Sequence, residues 1–520
     1  MDYIQEKAPP VREDRLKACN AFGGRCCELA EGAKKGCLYG IKRTFAQTQG
    51  CQLNLSLAIL NTLRDTVIII HAPIGCGGSS VAAAGLTKNF QKLRDSKAAG
   101  LIWLNTNLDE SDVIKGGEAK LREAVLYADR EFRPSAIVVA NSCVPALIGD
   151  DLDGILAQLQ LEVAAKIVPV HCEGFKTKIQ ASAYDAVYHG ILRNLVGVRE
   201  EEQRVIPDEL TQLSELTQLS EKYRRSRTVN ILNVSSMSRF DEDELLRLVK
   251  ALGLNARFLP CYAHPDDFET VSEAALNVSI CATHDDYFVG HLLTQFGIPF
   301  VLRAIPIGIM NTNKWLRDIA KFFKIEDTAE RFIEAETKEL ETALAPYREI
   351  LKGKRVFLAG GEIRTLANAS SLVELGLEVV GMKGYHYDQF GDDFLNDLNL
   401  DDKVLFNIAT GQPFEQANLL AKLKPDLYVG HIGGNGWAAK QGIPVFPIFG
   451  QTVNYMGYNG VFELARRLVR ILKNPVFNRN LAENTSLPYF EDWYQQDPFT
   501  YIDKSVLTAK EPEAEAVTGN

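Results

Sequence analysis

The chain has 520 residues, 46% of them hydrophobic and 24% charged. That is an ordinary composition for a soluble globular protein, too long for one core, so about three domains are expected. A formal net charge of −10 and a pI near 5.5 argue against nucleic acid or an anionic membrane as partner, and no apolar run reaches the ~18 residues of a membrane span.

Residues 1–50 read as a polar, loop-like N-terminal arm over the first domain. Cys19, Cys26, Cys27 and Cys37 crowd there among glycines and charges. No CxxC pair is present, so a partly buried arm is favoured over an extra metal site. With ten cysteines and no charged-then-apolar leader at residues 1–7, a reducing, cytoplasmic setting is expected.

From residue 51 apolar runs alternate with helical stretches. Thr66–His71 is a strand-length apolar run that empties into Ala72-Pro73-Ile74-Gly75-Cys76-Gly77-Gly78, a turn whose glycines allow close backbone approach. Further strands are expected at 101–104, 136–140 and 166–171, the second of these ending in Asn141-Ser142-Cys143. Such alternation predicts a doubly wound parallel sheet. Residues 199–227 are charge-rich and repeat Leu-Thr-Gln-Leu-Ser-Glu at 210–215 and 216–221; they read as an exposed linker that closes the first domain, 51–227.

The second domain, 228–353, opens on a strand at 228–234, followed by a helix at 241–252 and strands at 258–261, 278–281 and 298–305. Helices at 315–323 and onward to 351 bridge to the third domain, 354–475. That domain begins with a strand running into Gly360-Gly361 and continues with strands at 377–381, 427–430 and 443–446. The rest, 476–520, is a C-terminal extension whose last dozen residues read as a disordered tail.

Ligands sit at the carboxyl ends of strands in open α/β sheets. Cys76 and Cys143 lie at two such ends, and Cys51 in the Gly50-Cys51 turn before the first strand. A single cysteine of this kind is more often core packing than ligand, but glycine-rich strand ends reverse the odds for the set. Three thiolates leave an iron–sulfur cubane one ligand short, so a fourth ligand comes from elsewhere or a second chain shares the cluster. Cys281 ends another strand and begins a helix, where dipole and free amides favour a thiolate. Cys261, on a Pro-Cys-Tyr turn, reads as structural.

Gly50-Cys51, His71 to Gly77, and Cys143 with Leu147-Ile148-Gly149-Asp150-Asp151 resemble the P-cluster ligand motifs of the nitrogenase superfamily. The cysteine spacings of 25 and 67 residues and the run His171-Cys172-Glu173-Gly174-Phe175 with Gln180 resemble its α-type subunit. The resemblance runs from about residue 51 to 472. It implies three doubly wound, Rossmann-like domains around a metallocluster cavity. It implies a P-cluster-type 8Fe-7S cluster on Cys51, Cys76 and Cys143, shared with a β-type subunit in an α2β2 heterotetramer. A large iron–sulfur cofactor, related to the nitrogenase cofactor or its all-iron precursor, would sit on Cys281, near Gly360, Gly361, Arg364 and Ile59. An ATP-dependent 4Fe-4S reductase homodimer would supply electrons.

The departures are informative. Nitrogenase α subunits hold the far end of their cofactor through a histidine before the Tyr-x-Gly-Tyr-x-Gly motif; here 445–454 contains none, ahead of Tyr455-Met456-Gly457-Tyr458-Asn459-Gly460. The histidine expected after Gln180 is Tyr184, and Arg364 lies about one place from the arginine of the family's Gly-Gly loop. Gln180 and Tyr184 are therefore expected beside the cofactor. So are His386 and His431, at strand ends that should face one cavity, although an ordinary loop histidine is the competing reading for each. His189, His264, His284 and His291 are expected on surfaces, helices or behind the site. These features point away from dinitrogen; among nitrogenase-like reductases the chain most resembles the methylthio-alkane reductases, which implies cleavage of C–S bonds of small thioethers to release methanethiol and a hydrocarbon. A scaffold that matures nitrogenase cofactors is the main alternative, and an alternative nitrogenase the third.

Overall fold

All six residues of strand Thr66–His71 are buried. Val67 and Ile69 enter one hydrophobic cluster, Ile68 and Ile70 another. This is the two-residue alternation of a strand covered on both faces, which is why the sequence there is continuously apolar. Each such side chain removed from water contributes roughly 1.5–3 kcal/mol. The structure, a computed structural model, describes residues 4, 6–47, 50–197, 223–302, 305–398, 400–431 and 435–505.

Three mainly parallel sheets follow along the chain. The first has the order Ile102–Asn105, Thr66–His71, Ala136–Asn141, Lys166–His171, all parallel. Its one face packs on helices Glu118–Phe132 and Leu152–Leu159, while Ile68, Ile70, Val138 and Ala140 join the large core with helices Gln52–Leu60 and Ser182–Asn194. The second sheet has the order Phe300–Val301, Leu276–Ser279, Thr228–Leu232, Asn255–Leu259, again parallel. The third has Leu405–Ile408, Glu378–Gly384, Arg355–Gly360, Leu427–Gly430 and Val445–Pro447 in parallel. All three contribute to the same large core. The α/β class with doubly wound parallel sheets is as the alternation predicts.

Two expectations need correction. The N-terminal arm covers the first domain only up to about Ala18 and then joins the third sheet. Phe22–Arg25 adds an antiparallel edge strand to the third sheet, against Leu405–Ile408, and Cys19 bridges to Tyr387. Lys42–Arg43 pairs with Ile502–Asp503 near the other end of the chain. Gly23 permits this, since any Cβ there would collide with the Phe499 ring. The preceding residues, up to Ala18, do lie on the first domain: Glu6 O accepts from His189 at 2.7 Å, Lys7 pairs with Asp151 at 3.4 Å, and Arg12 in helix Arg12–Leu16 pairs with Asp185 at 2.8 Å. The strand expected at 298–305 is just Phe300–Val301, bounded by Pro299 and Pro306, neither of which can donate to a ladder; residues 303 and 304 lie outside the described residues. So do the duplicated hexapeptide at 210–221 and the tail beyond 505. Among the described residues no helix is long and apolar enough to cross a membrane.

Candidate metallocluster sites

Each sheet has one place where consecutive crossovers leave in opposite directions, the crevice at which open α/β sheets bind ligands. In the first sheet this switch point lies between Thr66–His71 and Ala136–Asn141. Cys76 follows the first of these strands and Cys143 follows the second. The two loops are tied together by His71, whose Nε2 lies 3.3 Å from Asp150 Oδ2 while its Nδ1 lies 3.1 Å from Thr106 Oγ1. Asp150 also accepts from the Gly117 amide at 3.0 Å. Burial lowers the pKa of His71 against the opposing pull of Asp150, so a neutral ring donating to the carboxylate holds the crevice.

Cys51 caps helix Gln52–Leu60 and turns toward the same crevice. A Cβ added at Gly174 would lie 2.5 Å from Cys51 Sγ and 3.7 Å from Cys143 Sγ, so these sulfurs converge over a glycine cradle. The Cys76 thiol is pushed up first by burial and then by Cys143 and Cys51. All three are half-buried and free, yet their sulfurs do not all lie within 4.8 Å of one another. That spread suits a multinuclear cluster better than a single ion, and the three soft donors fit iron–sulfur ligation. Exposed Ile74 (60%), Leu147 (70%) and Phe175 (52%) stand within a few residues of the thiols. Gln180 lies here rather than at the second site, packed over Gly50, where a Cβ would come within 2.6 Å of its amide.

The second sheet's switch point lies between Thr228–Leu232 and Leu276–Ser279, and Cys281 follows the latter strand. It caps helix Ala282–Phe296, and its amide donates to Ser279 Oγ at 2.9 Å. It is only 4% exposed, and burial pushes its thiol up to about 12 despite the nearby Arg364 charge. Burial outweighs the helix terminus, so this sulfur is a thiol until a metal displaces its proton.

Arg364 joins this site to the third. It lies in helix Glu362–Glu374 and donates to Ser236 Oγ at 2.7 Å. Its guanidinium sits 4.8 Å over the Phe449 ring, and its Nε has no hydrogen-bond partner. Phe449 fills part of the histidine-free interval 445–454 and packs on Gly360, where a Cβ would strike the ring. Gly361 caps the Arg364 helix. Tyr184 is buried and stacks on His284 with centroids 3.8 Å apart. Burial raises its pKa well above the phenol range, with Cys261, Arg364 and Cys281 close enough to act on it. Ile59 is fully buried in the same core as Cys281. Cys261 is held by paired bonds between its backbone and Asn233, at 2.8 and 2.9 Å.

The third switch point lies between Arg355–Gly360 and Leu427–Gly430. His431 follows the latter, its amide donating to Ala359 O at 3.0 Å. It lines a cavity of about 370 Å³ with Lys383, Tyr385, Thr410, Gln416 and Trp437. Burial, helped by Arg364, lowers the pKa of His431 to about 4, so its ring is neutral. Burial likewise lowers Lys383 to about 8, opposed by Glu415; its Nζ donates to Gly411 O and to Gln416 Oε1. His386 does not share this cavity: Tyr385 does, and His386 turns toward Glu362 and Asp388. Residues 432–434 lie outside the described residues.

Sequence reasoning missed Lys383, Tyr385 and the buried Arg12 and Glu362, while His284 lies in a helix behind Tyr184, as expected. Glu362, next after Gly360-Gly361, was the one with a positional signal. Cys19, Cys26, Cys27 and Cys37 belong to no group of three ligand atoms within 4.8 Å among the described residues.

Comparison with known proteins follows this geometry. The pattern of the nitrogenase component 1 type oxidoreductases matches residues 51–473. The chain is 29% identical over 453 residues to the nitrogenase iron-molybdenum cofactor biosynthesis protein NifE of Rippkaea orientalis, covering 86% of this chain and 89% of that one. It is 25% identical to the nitrogenase molybdenum-iron protein alpha chain of Methanothermobacter marburgensis, covering 92% and 94%. The solved structure titled nitrogenase Cp1 at pH 6.5 superposes with a TM-score of 0.68 at 20% identity, covering 86% and 92%, a likeness of fold. The chain belongs to the nitrogenase component 1 type oxidoreductase family.

Proposed function

We propose that this chain is the α-type metallocluster subunit of a nitrogenase-like reductase that cleaves C–S bonds of small methylthioethers. The observation that carries the reading is the enclosure of Cys281, 4% exposed at a switch point and flanked by Arg364, Tyr184 and Phe449. A sulfur so enclosed suits a resident cofactor better than one that must be handed on. Bound to Cys281, an iron–sulfur cofactor would supply electrons and a soft metal surface that thioether sulfur matches. A cluster on Cys51, Cys76 and Cys143 would be completed by a β-type partner and fed by an ATP-dependent 4Fe-4S reductase.

This chain's own residues would do the rest. Arg364 compensates the charge of a Cys281 thiolate. Phe449 and Arg364 occupy the region of the absent histidine, leaving the far end of the pocket apolar and cationic. Lys383, with a pKa near 8, is matched to donate a proton at neutral pH, and neutral His431 can relay it within the same cavity.

The assembled complex, with reductase and ATP, is expected to release methanethiol from dimethyl sulfide or 2-methylthioethanol and to form little ammonia from dinitrogen. Gas chromatography and an ammonia assay on one preparation check this. Ammonia as main product would make it a nitrogenase. A second reading, a cofactor-assembly scaffold, is favoured by the relatives named as cofactor biosynthesis proteins. Cluster transfer to an apo-protein with no substrate turnover would establish that reading instead.

A further inference from the structure

Behind the Cys281 pocket, Glu362, His386 and Asp388 each offer a ligand atom, and these lie within 4.8 Å of one another. They come from two strand ends of the third sheet: Glu362 opens the helix after Arg355–Gly360, and the other two follow Glu378–Gly384. All three are buried, His386 to 4% exposure. His386 Nε2 makes no hydrogen bond, although it points between Asp388 Oδ2 at 3.5 Å and Glu362 Oε2 at 3.8 Å. An orphaned imidazole nitrogen aimed between two carboxylates is poorly explained as packing.

The surroundings orient these donors. Both Glu362 oxygens accept the Asp388 amide, at 3.1 and 3.2 Å. Asp388 accepts from Thr283 Oγ1 at 3.1 Å and from the Phe390 amide at 3.0 Å. Gly391 leaves room for Glu362, since a Cβ there would strike Oε1. Outer bonds of this kind orient metal ligands. Charge balance points the same way. The connected carboxylates are Asp185, Asp388 and Glu362, all buried, and the partly buried Asp286, and among the described residues the guanidinia paired with them are Arg12 and Arg15. Four carboxylates thus face two guanidinia away from water's dielectric, where unpaired charge is costly. A divalent cation would offset the excess of carboxylates.

We infer that Glu362, His386 and Asp388 bind one divalent first-row transition-metal ion, at a mononuclear site separate from the cysteine-held clusters. One imidazole and two carboxylates suit iron(II), manganese(II) or zinc(II). The inference does not depend on the reductase reading.

Manganese(II) is the probe, since it avoids thiolates and gives a six-line EPR signal when free. The full-length chain, stripped with chelator and titrated with manganese(II), should bind one ion. Glu362→Gln and His386→Asn should each weaken binding by more than about 100-fold, the upper end of what losing an outer-shell partner costs, and Cys281→Ser should leave it unchanged. Anomalous diffraction at the manganese edge should place one peak among the three side chains, a result that needs no variant to fold. No bound manganese in the wild-type chain, equal binding in both ligand variants, or an anomalous peak elsewhere would overturn the inference.

Discussion

At the scale of single residues, the two cysteine sites should separate cleanly. Gly174→Ala places a methyl 2.5 Å from Cys51 Sγ and should lower iron bound at the three-cysteine site while circular dichroism stays native. Cys281→Ala should abolish turnover and deplete the other cofactor, leaving the first cluster's EPR signal. Lys383→Gln should slow turnover by about 10²-fold or more, the usual worth of a positioned acid. Its sign with pH follows from the direction of the shift. Lys383 is protonated below about 8, so wild-type rate should fall as pH rises through 8, and the variant should lose that limb. Candidate cysteines Cys51, Cys76 and Cys143 were legible because glycines punctuate the turns around them, and Cys281 because it stands between a strand and a helix. Lys383 was not, because a lysine inside an apolar strand gives no sign that its ammonium is buried.

Individual elements show where pattern ends and packing begins. Strands Thr66–His71, Lys166–His171 and Leu427–Gly430 were readable to the residue; burial on both faces keeps the first and last apolar, whereas Lys166, Pro169 and His171 of the edge strand are only partly buried. Phe22–Arg25 was not, because its two glycines carry no strand signal and only Phe499 and Leu405–Ile408 give them a place. Helix Ser182–Asn194 offers a pH test. His189 Nδ1 accepts from Tyr287 Oη at 2.7 Å and Nε2 donates to Glu6 O at 2.7 Å, a satisfied neutral ring. Burial holds its pKa at about 4 against an ordinary 6.5. The unfolded chain therefore binds more protons between these values, so stability is full above 6.5 and falls as pH drops toward 4. Thermal melts from pH 7.5 to 4.5 should show this decline, and His189→Gln, though less stable at pH 7.5, should show a shallower one.

For the whole molecule, the arrangement of surfaces predicts an incomplete unit. Three half-buried thiols lie among exposed apolar side chains, Ile74, Leu147 and Phe175, and such patches mark interfaces. Expressed alone, the chain should hold less than a full eight-iron complement at this site, and co-expression with its β-type partner should restore it; iron analysis and EPR decide. Replacing Leu147 by Asp should weaken pairing without altering the fold, read by size-exclusion chromatography. The three-sheet plan was legible from alternation and strand-end glycines. The switch points were not, because strand order within a sheet depends on pairings between segments far apart in sequence.

The edge strand Phe22–Arg25 has a consequence for how the protein is made. Phe22 pairs with Ile408, so at roughly 5–20 residues per second the arm leaves the ribosome tens of seconds before its partner strand exists. Until the arm docks, Leu405–Ile408 presents an unpaired sheet edge that any extended chain could extend. The arm works as an internal stopper, put in place last although it is translated first. Chains lacking residues 1–25 should therefore fold most of their core and then associate edge to edge, accumulating as soluble oligomers rather than as unfolded monomers.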